Sequence, residues 1–266
     1  MILFPPAKIN LGLNVLRKRE DGYHEIETVM MPIPLTDVLE ILTAKEFSFR
    51  QSGLEIEGAA SDNLVVRAYE VLKEAYKLPP VYIHLLKNIP MGAGLGGGSA
   101  DATYTLIGLN QLFELGLSSE QLRTYAAELG SDCPFFVDDQ PQIARGRGEI
   151  LSPIHVDLKG YYIKLIHPGL HIATKEAYAH VTMNENQLSV EEIIQRPITN
   201  WKNELTNAFE ISAFQLYPEI EQIKEDLYAE GATYASMTGS GSAVYGIFKE
   251  EPKSSNSSYF ERILGV

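Results

Sequence analysis

The sequence contains little cysteine and little tryptophan: its 266 residues include one of each, Cys133 and Trp201. A single cysteine excludes an internal disulfide framework and is typical of a reducing compartment. No apolar run approaches the length of about 18 residues that a membrane-spanning helix needs, and the first residues lack the pattern of a secretion signal. These absences predict a cytoplasmic protein that does not bind membranes.

Basic residues are also scarce. The 22 Lys and Arg residues face 35 Asp and Glu residues, which gives a formal net charge of −13. Such an acidic balance argues against nucleic acid or an anionic membrane as a partner. A hydrophobic content of 45% supports a real core in one large or two ordinary domains. The sequence therefore predicts a globular protein whose partner is a small molecule.

Several catalytic signatures are absent. No glycine is followed by Lys and then Ser or Thr, so the P-loop is excluded, and the chain lacks H-R-D, D-F-G and G-x-S-x-G. These absences exclude P-loop nucleotide hydrolases, protein kinases and hydrolases with a nucleophile elbow. His167 and His171 are four residues apart, but Pro168 and Gly169 break a helix between them. We therefore expect no protein-built metal site.

The most informative stretch is a glycine-rich loop, with five glycines between Gly92 and Gly98. A strand is predicted before it at 81–86 and a helix after it at 99–115, with Ser99 or Asp101 as N-cap. A helix that starts behind glycines presents unpaired N–H groups to phosphate. The alternatives are a flexible surface loop and a dinucleotide fold. The second is disfavoured because another helix, 118–129, follows in place of a strand.

Two further regions surround this loop. The first 60 residues are rich in strands and begin with a hairpin that turns at Asp21-Gly22. After 169 the chain is mostly helical up to a second glycine loop, 237–242, which lies between strands predicted at 233–236 and 243–248. That loop is either a bare hairpin turn or a second backbone surface that faces the ligand. Residues 253–258 are predicted to be a mobile linker.

Three motifs, taken in order, resemble the GHMP kinase superfamily. They are Pro5-Pro6-Ala7-Lys8-Ile9-Asn10-Leu11, the loop 90–102 and Met237-Thr238-Gly239-Ser240-Gly241. Asp21-Gly22-Tyr23-His24, the Gly-Leu-Gly-Gly-Gly-Ser form of the loop and the segment 129–136 most resemble one branch of the superfamily. Its members phosphorylate 4-diphosphocytidyl-2-C-methyl-D-erythritol in the non-mevalonate isoprenoid pathway. The resemblance covers residues 2 to 250.

The resemblance implies an α+β, two-domain kinase fold, in which helices pack on mixed sheets and the active site lies in the cleft between domains. We expect an N-terminal domain at 1–155 and a C-terminal domain at 156–266. ATP and Mg²⁺ are the implied cofactors. By this resemblance, the family's catalytic lysine falls on Lys8 and its catalytic aspartate on Asp132. The chemistry agrees, since a carboxylate accepts the hydroxyl proton and an ammonium stabilises the transferred phosphoryl group. The ATP-binding residues are expected to be Pro90, Met91, Gly92, Ala93, Gly94, Leu95, Gly96, Gly97, Gly98, Ser99 and Ala100.

In the family's substrate pocket aromatic rings clamp the cytosine, and the matching positions are Tyr23, His24 and Tyr178. The further expected substrate-binding residues are Asn10, Thr174, Gly239, Ser240 and Gly241. One departure concerns the metal, because Ala100 stands where the superfamily usually has a second serine. A hydroxyl that would help to bind phosphate or Mg²⁺ is therefore missing.

Two other functions are consistent with parts of the sequence. The chain resembles other GHMP kinases of small alcohols, such as mevalonate or homoserine, and a substrate panel would distinguish these from a cytidyl substrate. The first domain of this superfamily also resembles a ribosomal RNA-binding fold, but the charge of −13 and the second glycine loop argue against a binding module. The oligomeric state stays open between a monomer and a weak homodimer.

Overall fold

The computed structural model describes residues 1–55, 59–179, 181, 183, 188–255 and 258–266, and only the backbone at 60, 174, 175 and 179. The strands are β1 (Ile2–Leu3), β2 (Pro6–Lys18), β3 (His24–Thr36), β4 (Val38–Thr43), β5 (Ser48–Gly53), β6 (Val81–Lys87), β7 (Gln142–Gly146), β8 (Ile150–Pro153), β9 (Tyr162–His167), β10 (Tyr234–Met237), β11 (Val244–Phe248) and β12 (Phe260–Gly265). The helices are α1 (Leu64–Tyr76), α2 (Gly97–Leu112), α3 (Ser119–Leu129), α4 (Thr174–Ala179), α5 (Val190–Ile194), α6 (Ile198–Glu204), α7 (Glu210–Leu216) and α8 (Pro218–Ala229). Two short 3₁₀ helices cover Ala60–Asp62 and Cys133–Val137. The α+β class expected from the sequence is confirmed.

The chain forms two compact units that are not continuous in sequence. Unit 1 contains Met1–Ala7, Leu35–Met91 and Gly96–Asp139. Unit 2 contains Lys8–Pro34, Gly92–Leu95 and Gln140–Val266. The N-terminal hairpin thus belongs to the same compact unit as the C-terminal half of the chain. The boundary expected between 155 and 156 stays a prediction about the family's domains.

Unit 1 is a sheet with helices packed on its apolar side. Its strands lie in the order β1-β4-β6-β5, with β5 parallel to β6 and the other neighbours antiparallel. Along β6 the residues Val81, Ile83 and Leu85 are buried, while the alternate positions are more exposed. This period of two directs one face of the sheet into a core that also receives the apolar residues of α1, α2 and α3.

Unit 2 contains two four-stranded sheets, with orders β2-β3-β7-β8 and β10-β11-β9-β12. Its core joins residues of β2 and β3 to residues of β9 to β11 and of the helices α7 and α8. Strand β2 makes the link because its course changes at Gly12, which has φ +68°. Beyond this bend, Leu13 N donates to Thr206 O at 2.8 Å and Ala208 N donates to Leu13 O at 2.8 Å.

The C-terminal strand β12 is absent from the sequence-based prediction, which ended in a linker. It pairs antiparallel with β9 and forms an edge of that sheet. Lys164 of β9 is fully buried, and its Nζ lies 2.7 Å from Glu230 and 3.6 Å from Glu261 of β12. Residues 256 and 257 of the predicted linker lie outside the described residues. Long-range pairing therefore holds a segment whose local sequence carries little strand signal.

No helix within the described ranges is long and apolar enough to cross a membrane.

Candidate active site

In the first half of the glycine-rich loop, every second residue has a left-handed backbone conformation. Gly92, Gly94 and Gly96 have φ values of +64°, +79° and +70°. A side chain at any of them would strain the backbone, so glycine is required there by conformation. At Gly94 a Cβ would also lie 2.1 Å from the carbonyl oxygen of Thr238. The loop is therefore a fixed turn that packs closely against its surroundings.

The second half of the loop forms the start of α2. Glycine is required at positions 97 and 98 for reasons other than a left-handed backbone. A Cβ at Gly97 would lie 2.8 Å from Lys87 Nζ, so packing excludes a side chain. A Cβ at Gly98 would meet only Met91, at 3.5 Å or more, and no positive φ demands glycine there. Glycine in a helix costs roughly 1 kcal/mol relative to alanine. The close approach of a ligand is the remaining reason for Gly98.

The N-cap of α2 is Gly96, which supplies no side-chain hydrogen bond. The prediction of Ser99 or Asp101 as N-cap is wrong, because the helix begins at Gly97 and places both residues inside it. Asp101 is instead buried by a pairing that no local pattern reveals. The first N–H groups of a helix lack intrahelical partners, so this uncapped end of α2 offers donors to an anion.

Under this helix end, Lys87 forms an ionic cluster with Asp37 and Asp101, here called the Lys87 cluster. Lys87 Nζ lies 2.8 Å from Asp101 Oδ2 and contacts Asp37, and all three side chains are at most 3% exposed. Asp37 Oδ1 also accepts the backbone N–H groups of Asn88 at 2.5 Å and Ile89 at 2.9 Å. The cluster therefore fixes the end of β6, where the chain enters the loop.

Burial raises the pKa of Asp101 to about 8, against the opposing effect of the Lys87 ammonium and with a further increase from Asp37. Asp101 Oδ1 is buried and has no hydrogen-bond partner within the described part of the chain. A protonated carboxyl tolerates such an oxygen better than a carboxylate does, because burying an unpaired charge costs far more than burying a neutral group. Burial thus favours the neutral form of the Asp101 side chain at neutral pH.

In unit 2, Lys8 is 3% exposed and joins the first motif to the glycine loop. Its Nζ donates to Asn10 Oδ1 at 2.7 Å and to Gly94 O at 2.8 Å, and its backbone N–H donates to Leu95 O at 2.9 Å. A buried ammonium needs such oxygens to replace water. Lys8 is therefore a buried residue of β2 and not a surface lysine.

The third motif reaches the same place through Thr238. Its Oγ1 accepts the N–H of Asn10 at 3.0 Å and lies 3.2 Å from Gly94 O. The loop formed by Gly239, Ser240 and Gly241 follows directly, and a Cβ at Gly239 would lie 3.3 Å from Gly94 O. All three motifs thus meet around Lys8 and Asn10, and the second glycine loop is more than a bare hairpin turn.

Asp132 belongs to unit 1 and is half-buried just before the short helix Cys133–Val137. It occupies the N-cap position of that helix, but its side chain makes no capping hydrogen bond. The segment is anchored to α2, because Thr103 Oγ1 donates to Cys133 O at 2.8 Å. The backbone next to Asp132 is therefore anchored to α2, and the Asp132 side chain does not cap the short helix.

The tip of the β2–β3 hairpin carries Tyr23, which is 56% exposed. The turn is fixed by Asp21, whose Oδ1 accepts the Tyr23 N–H at 3.1 Å, and by a hydrogen bond of 2.8 Å from Arg19 N to Tyr23 O. The guanidinium of Arg147 lies 4.8 Å from the centre of the Tyr23 ring. An exposed ring thus projects from this hydrogen-bonded turn, and a cation from the connection between β7 and β8 lies beside the ring.

Next to this tip, the rings of His24 and Tyr178 stack with centroids 4.8 Å apart and an angle of 19° between them. Phe209 meets the Tyr178 ring edge-on at the same distance. Burial is the main cause that lowers the pKa of His24, with a smaller effect of Lys18, so His24 is neutral at pH 7. The structure therefore brings together two of the three predicted aromatic residues. The side chain of Thr174 lies outside the described residues.

His24, which belongs to the stacked pair, and Thr28, which contacts Asn10, share one face of β3. His24 and Thr28 are four positions apart, so their side chains point to the same side of the strand. Thr28 contacts Asn10 on the neighbouring strand β2. At about 3.3 Å per residue, His24 and Thr28 lie roughly 13 Å apart along the strand. The hairpin face thus has an aromatic end and a cationic end.

Three further residues near the predicted site residues received no role from the sequence. Thr28 looks like an ordinary strand residue, Arg147 lies in the Arg-Gly-Arg-Gly segment 145–148, and His171 follows a Pro-Gly turn. A Cβ at Gly92 would lie 2.3 Å from His171 Nδ1, so this imidazole rests against the glycine loop. Of the three, only Arg147 could have been suspected of a functional role from its local sequence, because basic residues alternate with glycines there.

Comparison with known proteins agrees with this geometry. Residues 63–146 match the GHMP kinases N terminal domain, and residues 189–256 match the GHMP kinases C terminal domain. The 4-diphosphocytidyl-2-C-methyl-D-erythritol kinase of Azobacteroides pseudotrichonymphae is 53% identical over 251 residues, 94% of each chain. The enzyme of the same name from Bacteroides fragilis is 51% identical over 257 residues, which are 95% of this chain and 94% of that one.

Solved structures give the same result. A 4-(cytidine 5'-diphospho)-2C-methyl-D-erythritol kinase has a TM-score of 0.81 and 35% identity, over 93% of this chain and 90% of that one. A mevalonate kinase covers both chains completely with a TM-score of 0.72, but at 14% identity it shows the fold alone. The use of ATP follows from membership of the superfamily. The chain belongs to the GHMP kinases and, among them, to the family of the 4-diphosphocytidyl-2-C-methyl-D-erythritol kinases.

Proposed function

We propose that this enzyme transfers the γ-phosphoryl group of ATP to the 2-hydroxyl of 4-diphosphocytidyl-2-C-methyl-D-erythritol in the non-mevalonate isoprenoid pathway. The observation that carries the proposal is the hairpin face with stacked rings at one end and Lys8 at the other. A base joined through a diphosphate to a short polyol is long enough to use both ends. Mevalonate and homoserine are short chains without a ring, and they would leave the aromatic end empty.

The glycine-rich loop and the start of α2 bind the ATP phosphates through backbone N–H groups. The ammonium of Lys8, held by Asn10 and Gly94, lies against this loop and stabilises the charge on the transferred phosphoryl group. Because Lys8 already bonds to fixed oxygens, its charge is in position before the substrate arrives.

Asp132 accepts the proton of the attacking hydroxyl. An alcohol is a weak nucleophile, and a carboxylate that takes its proton in the transition state contributes to the rate. The anchoring of the Asp132 segment to α2 through Thr103 supports this role, because a base has to stay within hydrogen-bond reach of the hydroxyl.

Mg²⁺ accompanies ATP and neutralises the charge on the phosphate oxygens when it is bound. Mg²⁺ is usually bound through substrate phosphates, water and one or two carboxylates, without a complete protein cage. Over the described ranges no three or more His, Cys, Asp or Glu side chains form such a cage. Phosphate oxygens and water would therefore supply most of the ligands of the ion in this enzyme.

At the aromatic end, the cytosine packs against exposed Tyr23, with the stacked pair of His24 and Tyr178 closing the pocket. Aromatic rings give a large contact area at low entropic cost, and hydrogen bonds to the polar edge of the base add discrimination. Neutral His24 can both donate and accept such bonds. The second glycine loop and Thr174 complete the substrate site, and we place the reaction in the cytoplasm.

The test is a substrate panel with ATP and Mg²⁺ that offers 4-diphosphocytidyl-2-C-methyl-D-erythritol, mevalonate and homoserine at equal concentration. We expect phosphorylation of the cytidyl substrate alone, and phosphorus NMR of the product identifies the 2-position. Phosphorylation of mevalonate or homoserine in place of the cytidyl substrate would overturn the proposal.

The variant Asp132→Asn belongs to the same experiment. It keeps the size of the side chain but removes the proton acceptor, so kcat should fall about 10²- to 10⁴-fold. Binding of ATP, measured by titration calorimetry, should stay within a few-fold of the unmodified enzyme. A variant that turns over at the original rate would show that Asp132 is not the base.

A further inference from the structure

Thr28 lies in the middle of β3 and is completely buried. Its Oγ1 is 2.5 Å from Gly12 O and 3.0 Å from Asn10 Nδ2. A hydroxyl has one proton, and a carbonyl oxygen can only accept. The Thr28 proton is therefore committed to Gly12 O. Toward Asn10, Thr28 is an acceptor.

The backbone of Gly12, which accepts the Thr28 hydrogen bond, is held in a fixed position. Its φ of +68° is the left-handed conformation that bends β2. A Cβ at this position would lie 2.4 Å from Leu205 Cδ1, so the backbone is enclosed tightly. The next residue, Leu13, is hydrogen-bonded through both its N–H and its carbonyl group. The direction of the Gly12 carbonyl is thus set by the packing of the strand.

The orientation of the Asn10 amide follows from the Thr28 proton. Nδ2 has to face Thr28, so Oδ1 faces Lys8 and accepts from Nζ at 2.7 Å. In the flipped orientation, Nδ2 would meet the ammonium, donor against donor, and Oδ1 would meet a hydroxyl whose proton points elsewhere. The hydrogen bonds therefore run in one direction, from Lys8 through Asn10 and Thr28 to Gly12.

We propose that Thr28 is a positioning residue that aims the Lys8 ammonium by fixing the orientation of the Asn10 amide. The proposal rests on the role given to Lys8 under the proposed function. Thr28 does not touch the substrate and acts only through Asn10. Thr238 contacts Asn10 from the other side, with Oγ1 3.3 Å from Oδ1, and completes what we call the Asn10 network: Lys8, Asn10, Thr28 and Thr238.

The matched variants are Thr28→Val, which keeps the branched shape and removes the hydroxyl, and Thr28→Ser, which keeps the hydroxyl. Misplacing a reacting group by about 1 Å costs up to about 100-fold in rate. We expect Thr28→Val to lower kcat about 10- to 100-fold and to change both KM values less than threefold. Thr28→Ser should keep kcat within about threefold. A core residue that only fills space would give the opposite order, because serine leaves the larger void.

A double-mutant cycle separates action through Asn10 from a general effect on the fold. In an Asn10→Ala enzyme, adding Thr28→Val should lower kcat less than twofold further, because the amide that Thr28 orients is gone. A full additional loss in this background would overturn the proposal. So would a Thr28→Val enzyme with unchanged kcat.

A measurement without substrate keeps this result apart from the proposed function. Hydrogen exchange of the Asn10 side-chain amide, followed by nitrogen-15 NMR, should be slow in the unmodified protein and in Thr28→Ser. It should be at least tenfold faster in Thr28→Val. Equal exchange in all three would refute the hydrogen-bond chain whatever the substrate. Failure of the unmodified enzyme to phosphorylate the cytidyl compound would refute the proposed function and leave this exchange result standing.

Discussion

Each compact unit encloses a lysine ammonium beside the glycine-rich loop, and the two are held by different chemistry. In unit 1, Lys87 lies between the carboxyl groups of Asp37 and Asp101. In unit 2, Lys8 donates to the amide oxygen of Asn10 and to the carbonyl oxygen of Gly94, and the hydroxyl groups of Thr28 and Thr238 contact Asn10. Carboxyl groups change charge with pH, whereas amides and hydroxyls do not. The first support is therefore strong but dependent on protonation, and the second sets direction at any pH.

The largest effect should follow from Lys87→Met, which removes the cation and leaves both aspartates buried. Removing one partner of a buried ion pair costs about 3–5 kcal/mol in the free energy of unfolding. Urea denaturation measures the loss. The control is Lys73→Met on α1, where a partly exposed lysine pairs with Glu70, so its removal should change stability far less. Similar losses in both variants would show that the Lys87 cluster is not a special support.

The next effect is a pH dependence from Asp101, whose pKa is raised to about 8. The folded protein holds a proton there that the unfolded chain has released above its ordinary pKa, about 4. The contribution of Asp101 to stability is therefore complete below pH 4 and is lost as pH rises toward 8, by an amount of the order of 1 kcal/mol per pH unit. Urea midpoints at pH 5.5 and 7.5 measure this slope.

Asp101→Asn provides the comparison for that slope, because an amide resembles the protonated acid and does not titrate. The variant should lose less stability than the unmodified protein between the two pH values. Parallel pH curves for the two proteins would mean that Asp101 is ionised throughout, with a pKa that is not raised.

The smallest effect should come from Thr238→Val in the Asn10 network. The change removes the acceptor for Asn10 N–H and should lower the free energy of unfolding by about 1 kcal/mol, with Thr238→Ser close to the original value. Because no titrating group is lost, the loss should be equal at pH 5.5 and 7.5. If the lost free energy of unfolding varied with pH, the Asn10 network would depend on protonation as the Lys87 cluster does, and the comparison would be wrong.

The parts of the fold that the sequence predicts well are those with strong local signals. Helix α3 begins after Ser118, whose capping box with Gln121 is visible as a serine with a glutamine three residues later. The strand, the glycine loop and the following helix were predicted nearly in place for the same reason. The match of the three motifs also located Lys8, because their residues occur in a distinctive order.

The parts that the sequence does not predict depend on partners far along the chain. Asp101 is a residue type that often caps a helix, but it pairs with Lys87 and lies next to Asp37. Neither partner can be identified from a single sequence. Strand β12 is short, and its stabilising contacts are long-range, since it pairs with β9 and Glu261 lies 3.6 Å from Lys164. The role of the Thr28 hydroxyl is likewise not predictable from the sequence, because it depends on the backbone of Gly12 in β2, which accepts its hydrogen bond.

The discontinuity of unit 2 has a consequence for synthesis on the ribosome. Residues 8–34 emerge early, but β3 pairs with β7, which starts at Gln142, and β2 also needs the segment 206–208. At about 5–20 residues per second, the hairpin waits roughly 5 to 20 seconds for β7 and longer for its other neighbours. During that time the apolar side of the nascent hairpin faces the solvent and chaperones. The part of the site that carries Lys8 and Tyr23 is thus the first to be made and among the last to be fixed in place.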